Sequence, residues 1–160
     1  MNNSDTTSPD YEVIVIGAGV AGIYQIKRLA DLGVHATVLE ADSGLGGTWY
    51  NNRYPGARFD SESYTYGYSF SKQLLEEWYW KEAFSGQPEN LRYLNHVADK
   101  FDLRQYMQFN CRVDAAHWDE EKTLWRLSVC DGRVLTCRVV IMALGLLSIP
   151  TLPRLEGMSD

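Results

Sequence analysis

The stretch Tyr11–Gly22, YEVIVIGAGVAG, decides the fold. Its first six residues form a short apolar run rich in β-branched side chains, the pattern of a buried strand. The run stops where Gly17, Gly19 and Gly22 begin. Residues 20–32 then place Ala21, Tyr24, Gln25, Arg28, Leu29 and Leu32 at helical spacing, which predicts a helix that covers a sheet with that face. Gly33 can take the left-handed conformation that ends a helix, and a second apolar run, His35–Leu39, closes on Glu40. Strand, glycine turn, helix and strand within about thirty residues make a βαβ unit.

The three glycines have separate physical tasks. Gly17 permits the tight turn, Gly19 removes the side chain that would block a pyrophosphate, and Gly22 lets the helix lie close against the strand. The first turn of the helix, at Val20 and Ala21, offers N–H groups and a partial positive charge to phosphates. Glu40 stands eighteen residues after Gly22, at the end of the second strand, where a carboxylate accepts hydrogen bonds from an adenosine ribose. It disfavours a 2′-phosphate, so the ligand is FAD or NAD rather than NADP at this site. GxGxxG alone is a weak signal. Bounded by two strands and followed by an acid at this distance, it points to a dinucleotide rather than a structural glycine turn.

Composition narrows the remaining possibilities. The chain has 160 residues, 45% hydrophobic and 22% charged, as expected for one globular domain. A net charge of -6 argues against a broad nucleic-acid surface. No run approaches the roughly 20 apolar residues of a membrane span. The opening MNNSDTTSPD lacks the basic start and apolar centre of a secretory signal; residues 1–10 are expected to be a disordered leader on a cytoplasmic protein. Cys111, Cys130 and Cys137 form no CxxC pair and sit where a cysteine acts as a small hydrophobe. His35, His96 and His117 are scattered, so no metal site is expected.

Beyond Glu40 the pattern is less regular. Residues 49–80 hold eleven of the twenty aromatics, fitting either a core over the sheet edge or a pocket for a flat ring. Pro88 opens an amphipathic helix with Leu91, Leu94, Ala98 and Phe101 on one face and Glu89, Arg92, Asn95 and Asp99 off it, which reads as scaffold. Antiparallel strands follow: 109–118, a charged turn at 119–122, an alternating strand through Trp125, Leu127 and Val129, the Asp131-Gly132 turn, and 133–136. Val139–Leu144 (VVIMAL) is a continuous apolar run ending at Gly145, the form of a buried parallel strand. Ligands of such sheets gather at the carboxyl ends of strands, so Gly17, Glu40 and Gly145 are expected around one crevice. The fold class is thus α/β: a Rossmann-like domain with a parallel sheet and an antiparallel hairpin or meander insertion.

Directly after Glu40 comes GLGGTWYNNRYPGARFD, residues 44–60, whose Gly44, Gly46 and Gly47 let the backbone approach the same ligand. GAGVAG, the acid Glu40, GLGGTW, NNRYPGARFD and SYTYGYSF together resemble the N-terminal part of the Baeyer-Villiger monooxygenases, from Tyr11 to Pro150 and beyond. The resemblance implies FAD held by Gly17, Gly19, Gly22, Glu40, Gly47, Thr48 and Trp49, with Asp60 and Tyr66 near the flavin and the backbone of Val113 at adenine. It implies that Arg58, Phe59 and Asp60 approach a nicotinamide cofactor, normally NADPH; Phe59 departs from the cysteine common at that position. The implied reaction uses NADPH and dioxygen to insert oxygen beside a ketone carbonyl, giving an ester or lactone. Asp60 would be the catalytic-site carboxylate, holding an arginine that this sequence does not contain; read without the resemblance, Asp60 fits better as a cap of the turn after Arg58.

A second glycine-rich βαβ unit for NADPH and the closing segment of the FAD fold are also missing from the sequence. The 160 residues are therefore expected to be an incomplete, N-terminal FAD-binding portion, residues 11–160, which alone binds FAD weakly and turns over no substrate. Two alternatives stay open: a flavin monooxygenase acting on nitrogen or sulfur, and a non-catalytic flavin or adenine-nucleotide binding module.

Overall fold

The computed structural model describes residues 8–149 and 151–157. Most of the expected disordered leader, residues 1–7, lies outside the described residues. Its last residue is tied down: the Asp10 carboxylate accepts from the Thr136 main-chain N–H at 2.8 Å and hydroxyl at 2.7 Å.

Six strands, β1 (Tyr11–Ile16), β2 (Ala36–Leu39), β3 (Met107–Gln108), β4 (Val113–Asp119), β5 (Leu124–Val129) and β6 (Val134–Met142), form one sheet in the order β3-β2-β1-β6-β5-β4. β1 lies parallel to β2 and β6, and β2 parallel to β3, whereas β5 is antiparallel to β4 and β6. β1 sits between two neighbours with Val13, Ile14 and Val15 all buried, which is why its sequence shows no polar alternation. Helices α1 (Val20–Asp31) and α4 (Gln87–Lys100) are joined by two short ones, α2 (Thr48–Asn51) and α3 (Lys72–Glu77). No helix among the described residues is long and apolar enough to cross a membrane.

The core lies on both faces of the sheet. On one, Val13, Val15 and Val38 meet Ile23 and Ile26 of α1 and Leu94, Val97 and Ala98 of α4. On the other, Ile14 and Leu39 meet Leu127, Val129, Cys111 and Cys137. Cys111 and Cys137 are thus the small hydrophobes expected, and burial pushes the Cys137 thiol up to about 11; Cys130 is exposed instead.

Several expectations need correction. The face α1 buries is Gly22, Ile23 and Ile26, while Tyr24 and Leu32 are exposed. The close approach of Gly22 to the strand sets the helix phase, and the isoleucines beside it follow. The expected strands 133–136 and 139–144 are one, β6, because nothing between Thr136 and Val139 can break a strand. Cys137 is the pivot, in register with Tyr11 of parallel β1 and with Trp125 of antiparallel β5. The antiparallel meander expected between the parallel strands is present, lying between β3 and β6 in chain order and extending the same sheet beyond β6. The VVIMAL run is not buried on both faces, since Val139 is 49% and Met142 64% exposed. The strand expected over 109–118 begins only at Val113; Met107–Gln108 pairs separately with β2. In α4, Glu89 points inward, buried and accepting from the Ser85 hydroxyl at 2.7 Å.

Candidate functional site

The turn from β1 to α1 divides its glycines by task. Gly17 has φ +102°, and a Cβ there would stand 2.6 Å from the Ala143 carbonyl oxygen. A Cβ on Gly22 would overlap the carbonyl oxygen of Gly17. Both residues are therefore needed by packing. Gly19 is different: its φ is -76°, and the nearest atom to an added Cβ is the Gly47 Cα, 3.6 Å away. It caps α1 without a side-chain hydrogen bond to the first-turn N–H groups. What its missing side chain leaves is room above those donors.

Glu40 at the end of β2 is only 6% exposed. One carboxylate oxygen accepts from the Ala18 N–H at 2.6 Å and the other from the Asp42 N–H at 2.9 Å. It thus ties the glycine turn to the turn after β2, and each oxygen keeps capacity for a second hydrogen bond.

Gly46 and Gly47 fold over the same turn. Gly46 (φ +129°) donates to the Ala18 carbonyl at 2.9 Å, and a Cβ on Gly47 (φ +53°) would stand 3.0 Å from the Gly19 Cα. A side chain on Gly47 would hold the two backbones apart, whereas one on Gly46 would collide with Leu91 and Tyr50.

These parts surround a crevice of about 970 Å³ at the carboxyl ends of the parallel strands. The structure brings Gly17, Gly19, Val20, Ala21, Glu40, Gly47, Thr48, Val113 and Gly145 together on its wall. Gly22 and Gly46 lie behind that wall as spacers. Sequence reasoning missed Tyr68, whose hydroxyl donates to the Val20 carbonyl at 2.7 Å, and Arg112, a cation next to Val113. It also missed Asn51, which donates to Asp42 at 2.7 Å. Position beside Val113 was the one available signal for Arg112, while Asn51 and Tyr68 lie within the stretches NNRYPGARFD and SYTYGYSF.

Trp49, Phe59 and Tyr66 do not line the crevice itself but form a cluster next to Thr48. The Trp49 indole N–H donates to the Tyr66 hydroxyl at 2.6 Å, and Phe59 stacks on Tyr66 with ring centroids 4.6 Å apart. Burial raises the Tyr66 phenol above its ordinary range, opposed by that indole hydrogen bond. Arg58 and Asp60 flank Phe59 on the exposed side. Arg58 is held by Glu82 at 3.1 Å and by the Phe84 carbonyl at 3.2 Å, away from Asp60.

A dinucleotide fits this donor set: uncapped helix N–H groups, a glycine-lined approach, a buried carboxylate and a neighbouring aromatic cluster.

Comparison with known proteins agrees. Residues 15–79 match the model of an NAD(P)-binding Rossmann-like domain. The chain is 46% identical to the 2-oxo-Delta(3)-4,5,5-trimethylcyclopentenylacetyl-CoA monooxygenase of Pseudomonas putida over 96% of its own length and 28% of that protein's. It is 42% identical to a Baeyer-Villiger monooxygenase of Pseudooceanicola batsensis, over 99% of this chain and 29% of the relative. Against a phenazine N-monooxygenase of Lysobacter antibioticus identity is 40%, over 96% and 28%. Among solved structures, OTEMO in complex with FAD and NADP superimposes with a TM-score of 0.88 at 46% identity, over 95% of this chain and 29% of that one. The chain thus spans less than a third of the length of these relatives. In sequence and in backbone alike, the chain is similar to a portion, less than a third, of these monooxygenases.

Proposed function

We propose that this chain is the FAD-binding portion of an NADPH-using Baeyer-Villiger monooxygenase, a cytoplasmic protein that oxygenates a small ketone to an ester or lactone. The observation that carries the reading is the crevice itself: two glycine turns in contact, the first turn of α1 and buried Glu40 meet there, next to an aromatic cluster. An exposed thiol, Cys130, among three free cysteines suits a reducing compartment.

Placement around the crevice and the resemblance together support the following roles. The N–H groups at Val20 and Ala21 hold the diphosphate, with Gly17, Gly19, Gly22, Gly46 and Gly47 giving the backbone its close approach. Glu40 accepts from the ribose, and the Val113 backbone meets adenine. Thr48 and Trp49 lead to the flavin ring, where Trp49, Phe59 and Tyr66 exclude water. Bound FAD supplies the transfer of electrons from NADPH to dioxygen. Arg58, Phe59 and Asp60 lie toward the nicotinamide, and Asp60 orients an arginine from elsewhere in the whole protein. Exposure of Asp60, with Arg58 occupied by Glu82, suits a carboxylate awaiting such a partner.

Titration of FAD into the chain, followed by flavin fluorescence, tests the reading. Saturable quenching that ADP competes away and riboflavin does not is expected, because the phosphate and ribose contacts are the best formed. A flavin signal that never saturates rejects it. The similarity to a phenazine N-monooxygenase, 40% identical over 96% of this chain, supports a second reading, oxygenation of nitrogen. Oxidation of a cyclic ketone against a heteroaromatic amine by the whole protein separates the two.

A further inference from the structure

Helix α4 looks like scaffold from its sequence, yet its first turn grips the segments that border the crevice. Gln87 is 8% exposed and bonded at both ends. Its main-chain N–H donates to the Ala57 carbonyl at 2.8 Å, and its side-chain amide donates to the Trp49 carbonyl. One turn later, the Leu91 Cδ1 stands 2.7 Å from where a Cβ on Gly46 would lie. A single helical turn thus touches both 46–49 and the chain leading into Phe59.

That grip matters because α2 cannot hold itself. It has four residues, its N-cap Gly47 supplies no side-chain hydrogen bond, and a helix of one turn has no stability of its own in water. Its position is set by what it docks on. From Trp49 the effect runs in two directions: back through Thr48 and Gly47 to Gly19, and through the indole N–H to Tyr66, on which Phe59 stacks.

We infer that Gln87 is a positioning residue of the cofactor crevice, seating the Gly46–Trp49 turn against Gly19 and, through Trp49, placing the aromatic cluster. The geometry stands by itself; its consequence for FAD rests on the function proposed above.

The test compares Gln87→Met, which keeps length but loses the donor, with Val97→Ala, a cavity in the same helix three turns on, where Val97 is fully buried. The Trp49 indole N–H resonance, identified by its loss in Trp49→Phe, reports the turn directly. Gln87→Met is expected to move that resonance while those of Trp118 and Trp125 stay in place, and to weaken FAD about tenfold. Gln87→Glu is expected to behave likewise at neutral pH and to recover the resonance in acid, where the protonated carboxyl regains a donor. Val97→Ala should lower the melting temperature and move neither readout. An unmoved Trp49 resonance in Gln87→Met, or an equal loss of FAD affinity in Val97→Ala, overturns the inference. Should the unaltered chain take up no FAD, the proposed function fails, and the resonance still decides the role of Gln87.

Discussion

Gly19 and Gly22 are three residues apart and carry the same side chain, yet substitution separates packing from binding. In Gly22→Ala the added methyl collides with the Gly17 carbonyl, whose residue is pinned by its own N–H to Leu39 at 2.8 Å. Neither backbone can yield, so a loss on the order of 3 kcal/mol is expected in denaturant unfolding. Gly19→Ala meets nothing closer than 3.6 Å and needs no unusual φ. It should cost at most about 1 kcal/mol as a change of N-cap, while weakening FAD at least tenfold by filling the approach to the helix N–H groups. Both glycines were legible from spacing alone, because the chemistry of the turn is local. Asp60 was not: its two readings, turn cap and site carboxylate, differ only in long-range partners. In the structure it is exposed, and Arg58 pairs elsewhere. Asp60→Ala is therefore expected to leave stability unchanged within about 0.5 kcal/mol, whereas loss of a cap would cost about 1 kcal/mol. A denaturation midpoint distinguishes them.

At the scale of elements, β1, α1 and β2 could be read off because strand and helix periods announce themselves within a dozen residues. The face of α1 could not, since Tyr24, Gln25 and Arg28 share helical spacing with Ala21 and Leu29 and only the contact at Gly22 chooses the phase. The segment between α2 and α4 was the least legible, for it is organised by tertiary hydrogen bonds made by tyrosines rather than by a period. The Tyr68 N–H donates to the Tyr93 hydroxyl at 2.8 Å, and the Tyr68 hydroxyl to the Val20 carbonyl at 2.7 Å, linking α4 to the first turn of α1. Burial raises the phenols of Tyr66, Tyr68 and Tyr93, the last to about 12. A raised folded-state value means that the unfolded chain loses its phenolic protons first. The stability is fully present below the ordinary tyrosine value near 10 and is lost as pH rises through about 12. Unfolding midpoints taken up this range should fall steeply, and Tyr93→Phe should start lower, with the Tyr68 N–H unpartnered, but fall less. An equally steep fall in Tyr93→Phe would assign the alkaline transition to other groups.

For the molecule as a whole, the apolar surface is distributed unevenly. Val139 and Met142 on β6 are followed by Leu144, Leu146, Leu147, Ile149, Leu152 and Leu155, all at least 49% exposed and Leu146 99%. Singly exposed leucines are ordinary, whereas such a concentration in one run marks a surface that seeks cover. Two members of the run, Leu144 and Ile149, help to line the crevice. The relatives are more than three times as long and carry further chain. The 160-residue chain is therefore expected to bind a hydrophobic dye and to self-associate as its concentration rises. Leu146→Ser with Leu152→Ser should return it toward monomer in sedimentation velocity. Because these side chains bury little in the fold, the melting temperature of the pair should stay within experimental scatter of the parent. A parent chain that stays monomeric and takes up no dye at high concentration would show that the run shields itself, and that the uneven surface carries no demand for a covering partner.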